Sequence, residues 1–130
     1  MQKKKGFTLI ELLAVIVILA IILVIAVPQI NKVIEDSRKD SLISSVKMMA
    51  SAIETQYMVS LTTDSPMSTV TGYTTACPAN AAKWNTSNGT CTYNLTVDAN
   101  DIPTVSVNIV GAGKFVGLTA QGTREDADII

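Results

Sequence analysis

Sixteen consecutive apolar residues run from Leu12 to Val27, and apart from Thr8 and Glu11 the run extends back to Phe7. At about 1.5 Å per residue, a helix over these positions is roughly 31 Å long, close to a bilayer's hydrocarbon thickness of about 30 Å. Such a segment excludes an ordinary soluble globule, and it excludes disorder. It also explains the composition: 48% of the 130 residues are hydrophobic but only 5% are aromatic, so the apolar content is aliphatic. Lys3, Lys4 and Lys5 stand directly before the run. Lysines flanking a first span hold that end in the cytoplasm, which places everything after Val27 outside. Cys77 and Cys91 then fall in the outer compartment, where a disulfide is permitted and two cysteines allow one intramolecular pairing. The chain has no histidine, which removes His-dependent triads, His general bases and His-ligated metal sites.

A secretory signal has a basic start, about 7–15 apolar residues and an A-x-A-like cleavage site. This run is longer, and the place for such a site reads Ile25-Ala26-Val27-Pro28. A plain signal anchor would serve, but an anchor has no use for Glu11. A charged side chain in a span costs about 2.5–3.5 kcal/mol at mid-bilayer and less near the interface, so this carboxylate needs a cationic partner or a proton.

The string Lys5-Gly6-Phe7-Thr8-Leu9-Ile10-Glu11-Leu12-Leu13, after a short basic leader and before an aliphatic helix ending near Pro28, resembles a type IV prepilin with its class III-type leader and methylation motif. The resemblance covers about the first 30 residues strongly; the later chain matches in layout only. It implies that a membrane prepilin peptidase removes a leader of residues 1–6 by cutting between Gly6 and Phe7, and that the new Phe7 amine is methylated. Glycine suits the junction because it lacks a Cβ and disfavours helix, leaving the chain extended for a protease. Cleavage also removes the three lysines. Once it has occurred, the Phe7 ammonium is the nearest cation to Glu11 in the apolar layer. Pairing between neighbouring subunits would set axial register, since a misplaced subunit leaves both charges buried and unpaired.

Residues 7–27 are then the transmembrane and filament-core half of a helix, and residues 28–60 its amphipathic half. Pro28 removes the hydrogen bond to the Val24 carbonyl, so a kink or a locally melted turn is expected. Glu35 to Ser41 contains no apolar residue and reads as a solvated face, with Glu35 and Lys39 at i,i+4. Leu42, Val46, Met49, Ala50, Ile53 and Tyr57 form an apolar stripe at helical spacing. One helix from about Phe7 to Val59 would reach roughly 80 Å, which implies assembly or a stalk.

Residues 61–130 read as a small C-terminal head. From Thr62 to Thr90 no periodicity holds, a connection longer than ordinary loops. Cys91–Val97 and Thr104–Ile109 alternate, and Lys114–Thr119 offers a third strand, giving about three antiparallel strands over 91–119. The fold expected is therefore α+β: a long N-terminal helix on a small antiparallel sheet, type IV pilin-like. Residues 120–130 find no place in it.

Other motifs point to chemistry only weakly. Ser44-Ser45-Val46-Lys47 matches S-x-x-K, which would suit a membrane-tethered enzyme, but no S-D-N or K-T-G follows and packing explains the site better. Gly111, Gly113 and Gly117 lack the strand-to-helix context of a phosphate loop and read as turn glycines. Asn85, Asn88 and Asn94 each open an N-x-[ST] triplet, coincidental in a bacterial protein. Asp98, Asp101, Glu125, Asp126 and Asp128 would gather oxygens for calcium only if the tail folds against the first turn; as solvated surface they need no ion. From Thr62 onward Lys83, Lys114 and Arg124 face six anions, so a nucleic-acid-binding groove on this surface is not expected.

The expectation is a non-enzymatic, cofactor-free structural subunit that polymerises into a surface filament for adhesion, twitching or DNA uptake. Its partners by resemblance are other copies of itself, the prepilin peptidase, an inner-membrane assembly platform with its ATPase, and the membrane before assembly. The alternative is a major pseudopilin of a secretion or competence system, which shares the leader, Glu11 and the long helix.

Overall fold

A computed structural model describes residue 6, residues 8–78 and residues 84–130. One α-helix, α1, runs from Leu9 to Ser60, and five strands follow: β1 Val70–Ala76, β2 Gly89–Val97, β3 Pro103–Gly111, β4 Thr119–Gly122 and β5 Ala127–Ile129. The chain divides into two units, residues 1–36 and residues 37–130.

In the first unit the helix is apolar on every side from Leu12 to Val27. Its large aliphatic side chains between Leu9 and Val27 are all exposed, from 47% at Val15 to 85% at Leu9, so nothing within the unit covers them. By length and composition this stretch can cross a membrane. The helix continues through Pro28 without a break. The melted turn expected there is absent: the proline costs one backbone hydrogen bond, and ordinary helical turns hold the chain on both sides.

In the second unit a sheet covers one face of α1. Leu42, Val46, Met49, Ala50, Ile53 and Tyr57 are buried, the stripe that the spacing picks out. They meet the inner faces of β2 and β3, where Cys91, Tyr93 and Leu95 stand directly opposite Ile109, Val107 and Val105. The alternation that buries these residues turns Thr92, Asn94 and Thr96 toward the outer face, opposite Asn108, Ser106 and Thr104. Phe115 and Ala120 complete the core. All neighbouring strands are antiparallel, in the order β1-β2-β3-β4-β5. The architecture is the expected α+β one, a long N-terminal helix on an antiparallel sheet.

The strand count is five where alternation indicated about three. β1 lies inside the segment read as a loop. It is a mostly exposed edge strand of threonine, glycine and tyrosine, with an irregularity between Val70 and Thr75, so it carries no apolar alternation. The third strand expected over Lys114–Thr119 is instead a 3-10 turn at Gly113–Phe115 followed by β4 from Thr119. Gly113 and Gly117, at φ 57° and 83°, turn the chain where an extended strand cannot. The unplaced tail forms most of β4 and all of β5.

Side chains hold the connections. Asp98 Oδ1 accepts the amides of Asn100 and Ile102 at 2.8 and 3.0 Å, fixing the β2–β3 turn. Ser60 Oγ donates to the Tyr57 carbonyl at 2.6 Å and accepts the Met67 amide at 3.0 Å, tying the chain after α1 to the helix end. Tyr73 sits at φ 55° in β1, and its hydroxyl reaches across β2 to Ser106 Oγ at 2.9 Å and Gln121 Nε2 at 2.8 Å. The edge strand is thereby pinned to β3 and β4, which holds a tyrosine in an uncommon backbone region.

Two substitutions separate core from latch. Ile53→Ala is expected to lower unfolding free energy by about 2–5 kcal/mol. Tyr73→Phe, which keeps the ring but removes both hydroxyl contacts, is expected to cost about 1 kcal/mol. Denaturant titration of the detergent-solubilised chain, followed by Trp84 fluorescence, measures both.

Candidate functional site

The N-terminal site is built around the start of α1. Helices leave their first amides without partners, and here two side chains supply them. Thr8 Oγ1 accepts the Glu11 amide at 3.1 Å, and a Glu11 carboxylate oxygen accepts the Thr8 amide at 3.3 Å. The Thr8 carbonyl accepts the Leu12 amide at 3.0 Å, so Thr8 is the cap residue and the helix proper begins at Leu9. This reciprocal pair is a capping box, and its T-x-x-E signal stands in the sequence, although charge reasoning led only to a search for a cation. Glu11 thus has a backbone partner within its own chain, and its carboxylate sits where the helix dipole favours negative charge.

Gly6 is exposed and lies before the cap, and a Cβ built on it meets no atom within 4 Å. A Cβ at this position therefore meets none of the described residues. Phe7, assigned both to the scissile bond and to methylation, lies outside the described residues, as do Lys3, Lys4 and Lys5.

In the second unit Cys77 and Cys91 form a disulfide with an S–S distance of 2.00 Å. The Cys77 amide also donates to the Cys91 carbonyl at 3.0 Å. Within the 14-residue separation, Trp84 Nε1 donates to the Gly89 carbonyl at 3.0 Å, and its ring stacks on Phe115 at a centroid distance of 6.4 Å. The bridge and the indole fasten this segment to the start of β2 and to the turn before β4. Asn85, which opens one of the N-x-[ST] triplets, accepts from the Ser87 amide at 2.9 Å and caps a 3-10 turn at Thr86–Asn88.

The remaining candidates do not assemble into a reactive centre. Among the described residues no three of His, Cys, Asp or Glu stand close enough to share a metal ion, so the late carboxylates are not gathered as a calcium site would require. Asp98 spends one oxygen on its own turn. Ser44 lies exposed on α1, while the neighbouring Val46 faces the core.

Cys77→Ser is expected to lower the stability of residues 37–130 by up to about 3 kcal/mol, the loop-entropy value for a closure of this length. The same change should shift Trp84 emission, and unchanged emission together with unchanged denaturation would show the bridge to be dispensable.

Residues 1–27 match the family model described as the prokaryotic N-terminal methylation motif. No curated protein matches the chain, and no solved structure does. The motif implies processing by prepilin peptidase and pilus assembly, and its family consists of structural subunits. The apolar helix beside it fits a membrane-anchored precursor. The chain carries the class III signal of type IV pilins, and this motif indicates the type IV pilin and pseudopilin family.

Proposed function

We propose that this protein is a structural subunit of a bacterial type IV pilus, held in the membrane by residues 7–27 until it polymerises through that helix into an extracellular filament. The observation that carries the reading is the pairing of the methylation motif at residues 1–27 with a helix whose aliphatic side chains are exposed on all faces from Leu9 to Val27. An apolar surface of that extent needs lipid or other helices around it. Lipid covers it in the precursor, and identical helices cover it in the filament. The peptidase cuts between Gly6 and Phe7, freeing the chain from its lysine leader. The new Phe7 amine then stands one residue before the Thr8 cap, close in sequence to the Glu11 carboxylate. In an apolar layer an ammonium and a carboxylate attract far more strongly than in water, and a neighbouring subunit's amine pairs with Glu11 to fix axial stagger.

Mass spectrometry of the mature N-terminus tests the processing step. It should find a methylated Phe7, and a chain still starting at Met1 in cells with active peptidase would sink the assignment. Gly6→Val should accumulate uncleaved in the membrane, an effect attributable to the peptidase because an added Cβ meets none of the described residues. Shear release followed by imaging tests the filament: long labelled filaments mean a pilus subunit, and their absence means a pseudopilin or an anchor.

Glu11 has two roles that two variants separate. Glu11→Gln keeps an acceptor for the Thr8 amide, and therefore the capping box, but removes the charge. Glu11→Leu removes both. Both variants should insert and be cleaved, and both should fail to build filaments if charge pairing sets the stagger. Wild-type filament yield from Glu11→Gln would leave the residue with capping alone.

A further inference from the structure

The outer face of the sheet, turned away from α1, is polar by alternation. Cys91 to Leu95 and Val105 to Ile109 bury every second residue, which leaves Thr92, Asn94, Ser106 and Asn108 on the other side. Ala120 is buried, and Ala127 and Ile129 pack against the core, so Gln121 and Asp128, opposite each other in register, face the same way. Here Tyr73, Ser106, Gln121, Asp126, Asp128 and Ile130 line a shallow depression of about 260 Å³. Gly122 lets β5 and its turn come close to β4 at this point, since a Cβ there would lie 2.3 Å from the Asp126 carbonyl oxygen and from the Ala127 Cα.

The depression differs from an ordinary solvated surface. Tyr73 sits at φ 55°, and backbone outliers of this kind concentrate at ligand sites. Its hydroxyl is already bonded to Ser106 Oγ and Gln121 Nε2 at 2.9 and 2.8 Å, so this wall is ordered before any ligand arrives. Beside it stand two asparagines, a residue type disfavoured in strands. Asn94 lies opposite Ser106, and Asn108 opposite Gln121. The Oδ1 atom of each is shielded from solvent and has no hydrogen-bond partner among the described residues, an arrangement that costs stability. Packing gives no reason to keep them.

The lining selects a class of ligand. Asp126 and Asp128 are exposed, and no cation lines the depression: the described cations of residues 61–130 are Lys114, over the Phe115 ring, and Arg124, paired with Glu54. Phosphate and other anions are therefore repelled. A metal ion would need a gathering of ligands, and among the described residues no three of His, Cys, Asp or Glu provide one. An organic ammonium would need acceptors alone. The wall instead mixes hydroxyls and amides, which both donate and accept, with carboxylates, which accept. Sugar hydroxyls also do both, and the C–H faces of a sugar ring suit the Tyr73 ring and Ile130, which is 71% exposed. The volume lies below the roughly 300–1,000 Å³ of pockets for drug-sized ligands, which suits a single ring.

We propose that the outer sheet face binds a neutral saccharide, with one ring seated against Tyr73, Ile130 and the Asp126 and Asp128 carboxylates. The adjoining ring lies over Asn94 and Asn108, whose amides rotate to meet its hydroxyls. The site is complete within residues 37–130 of one chain, so it stands apart from the pilus-subunit reading.

The full chain, in a zwitterionic detergent that carries no sugar, is tested on an array of neutral oligosaccharides of glucose, galactose, mannose and the N-acetylhexosamines, each beside its sialylated form. Binding to neutral members and its loss on sialylation are expected, because the added carboxylate meets Asp126 and Asp128. Asp128→Ala should weaken binding about tenfold and Asn108→Ala about fivefold, with Trp84 emission unchanged. Asn108 Oδ1 has no partner to lose and Asp128 is exposed, so neither change should disturb the fold. Neutral polysaccharide washed from the producing cells, added as competitor, separates two sources of the sugar. Competition assigns the site to a sugar the cell makes itself, and its absence to a foreign surface, the saccharide class standing in both cases. Failure of the wild type to bind any neutral member overturns the proposal. Equal or stronger binding of the sialylated forms overturns it too, as does binding that either variant leaves intact.

Discussion

Burial of one face of α1, from Leu42 to Tyr57, against the inner faces of β2 and β3 is the interaction on which the second unit depends. Each fully buried aliphatic side chain there, such as Leu42, Ile53 or Leu95, contributes about 1.5–3 kcal/mol relative to exposure. The contact dictates strand register, because a one-residue slip would turn Tyr93, Leu95, Val105 and Val107 outward and present threonines and asparagines to the helix. The other devices extend or protect this layer. Ser60 ties down the chain leaving the helix, the Cys77–Cys91 bridge and Trp84 hold the segment before β2, and Tyr73 latches the edge strand across its neighbour.

The first part of the same helix obeys a different rule. It has no sheet to cover it, and its aliphatic residues lie on every face, so its stability in a folded state belongs to the medium or the neighbours that enclose it. At its start Thr8 and Glu11 satisfy each other's amides. Capping and ion pairing are compatible uses of one carboxylate. A carboxylate has four acceptor sites and the Thr8 amide takes one, leaving the group able to meet a cation brought by another molecule.

Much of this was legible because it follows from periodicity. The six-residue stripe of α1 and the inward positions of β2 and β3 needed only a 3.6-residue and a 2-residue repeat to be found, and the structure buries those residues. β1 was hidden because an exposed edge strand needs no apolar alternation, and its pairing partner is supplied by β2. The 3-10 turn at Gly113–Phe115 read as strand because Phe115 and Val116 favour extension, whereas two glycines at positive φ bend the chain around them. The capping box was present as T-x-x-E and masked by the apolar run that follows it.

The sequence by itself determined that an aliphatic helix of membrane length follows a basic leader, that a second helical stripe would pack on alternating strands, and that the two cysteines had one pairing open to them. These are properties of spacing and composition, and short-range physics suffices to read them. Only the tertiary structure decided that five strands form and that Tyr73 crosses the sheet to hold its edge. Those outcomes depend on which segments lie side by side. That is set by the register of long-range pairs, to which no single window of the chain has access.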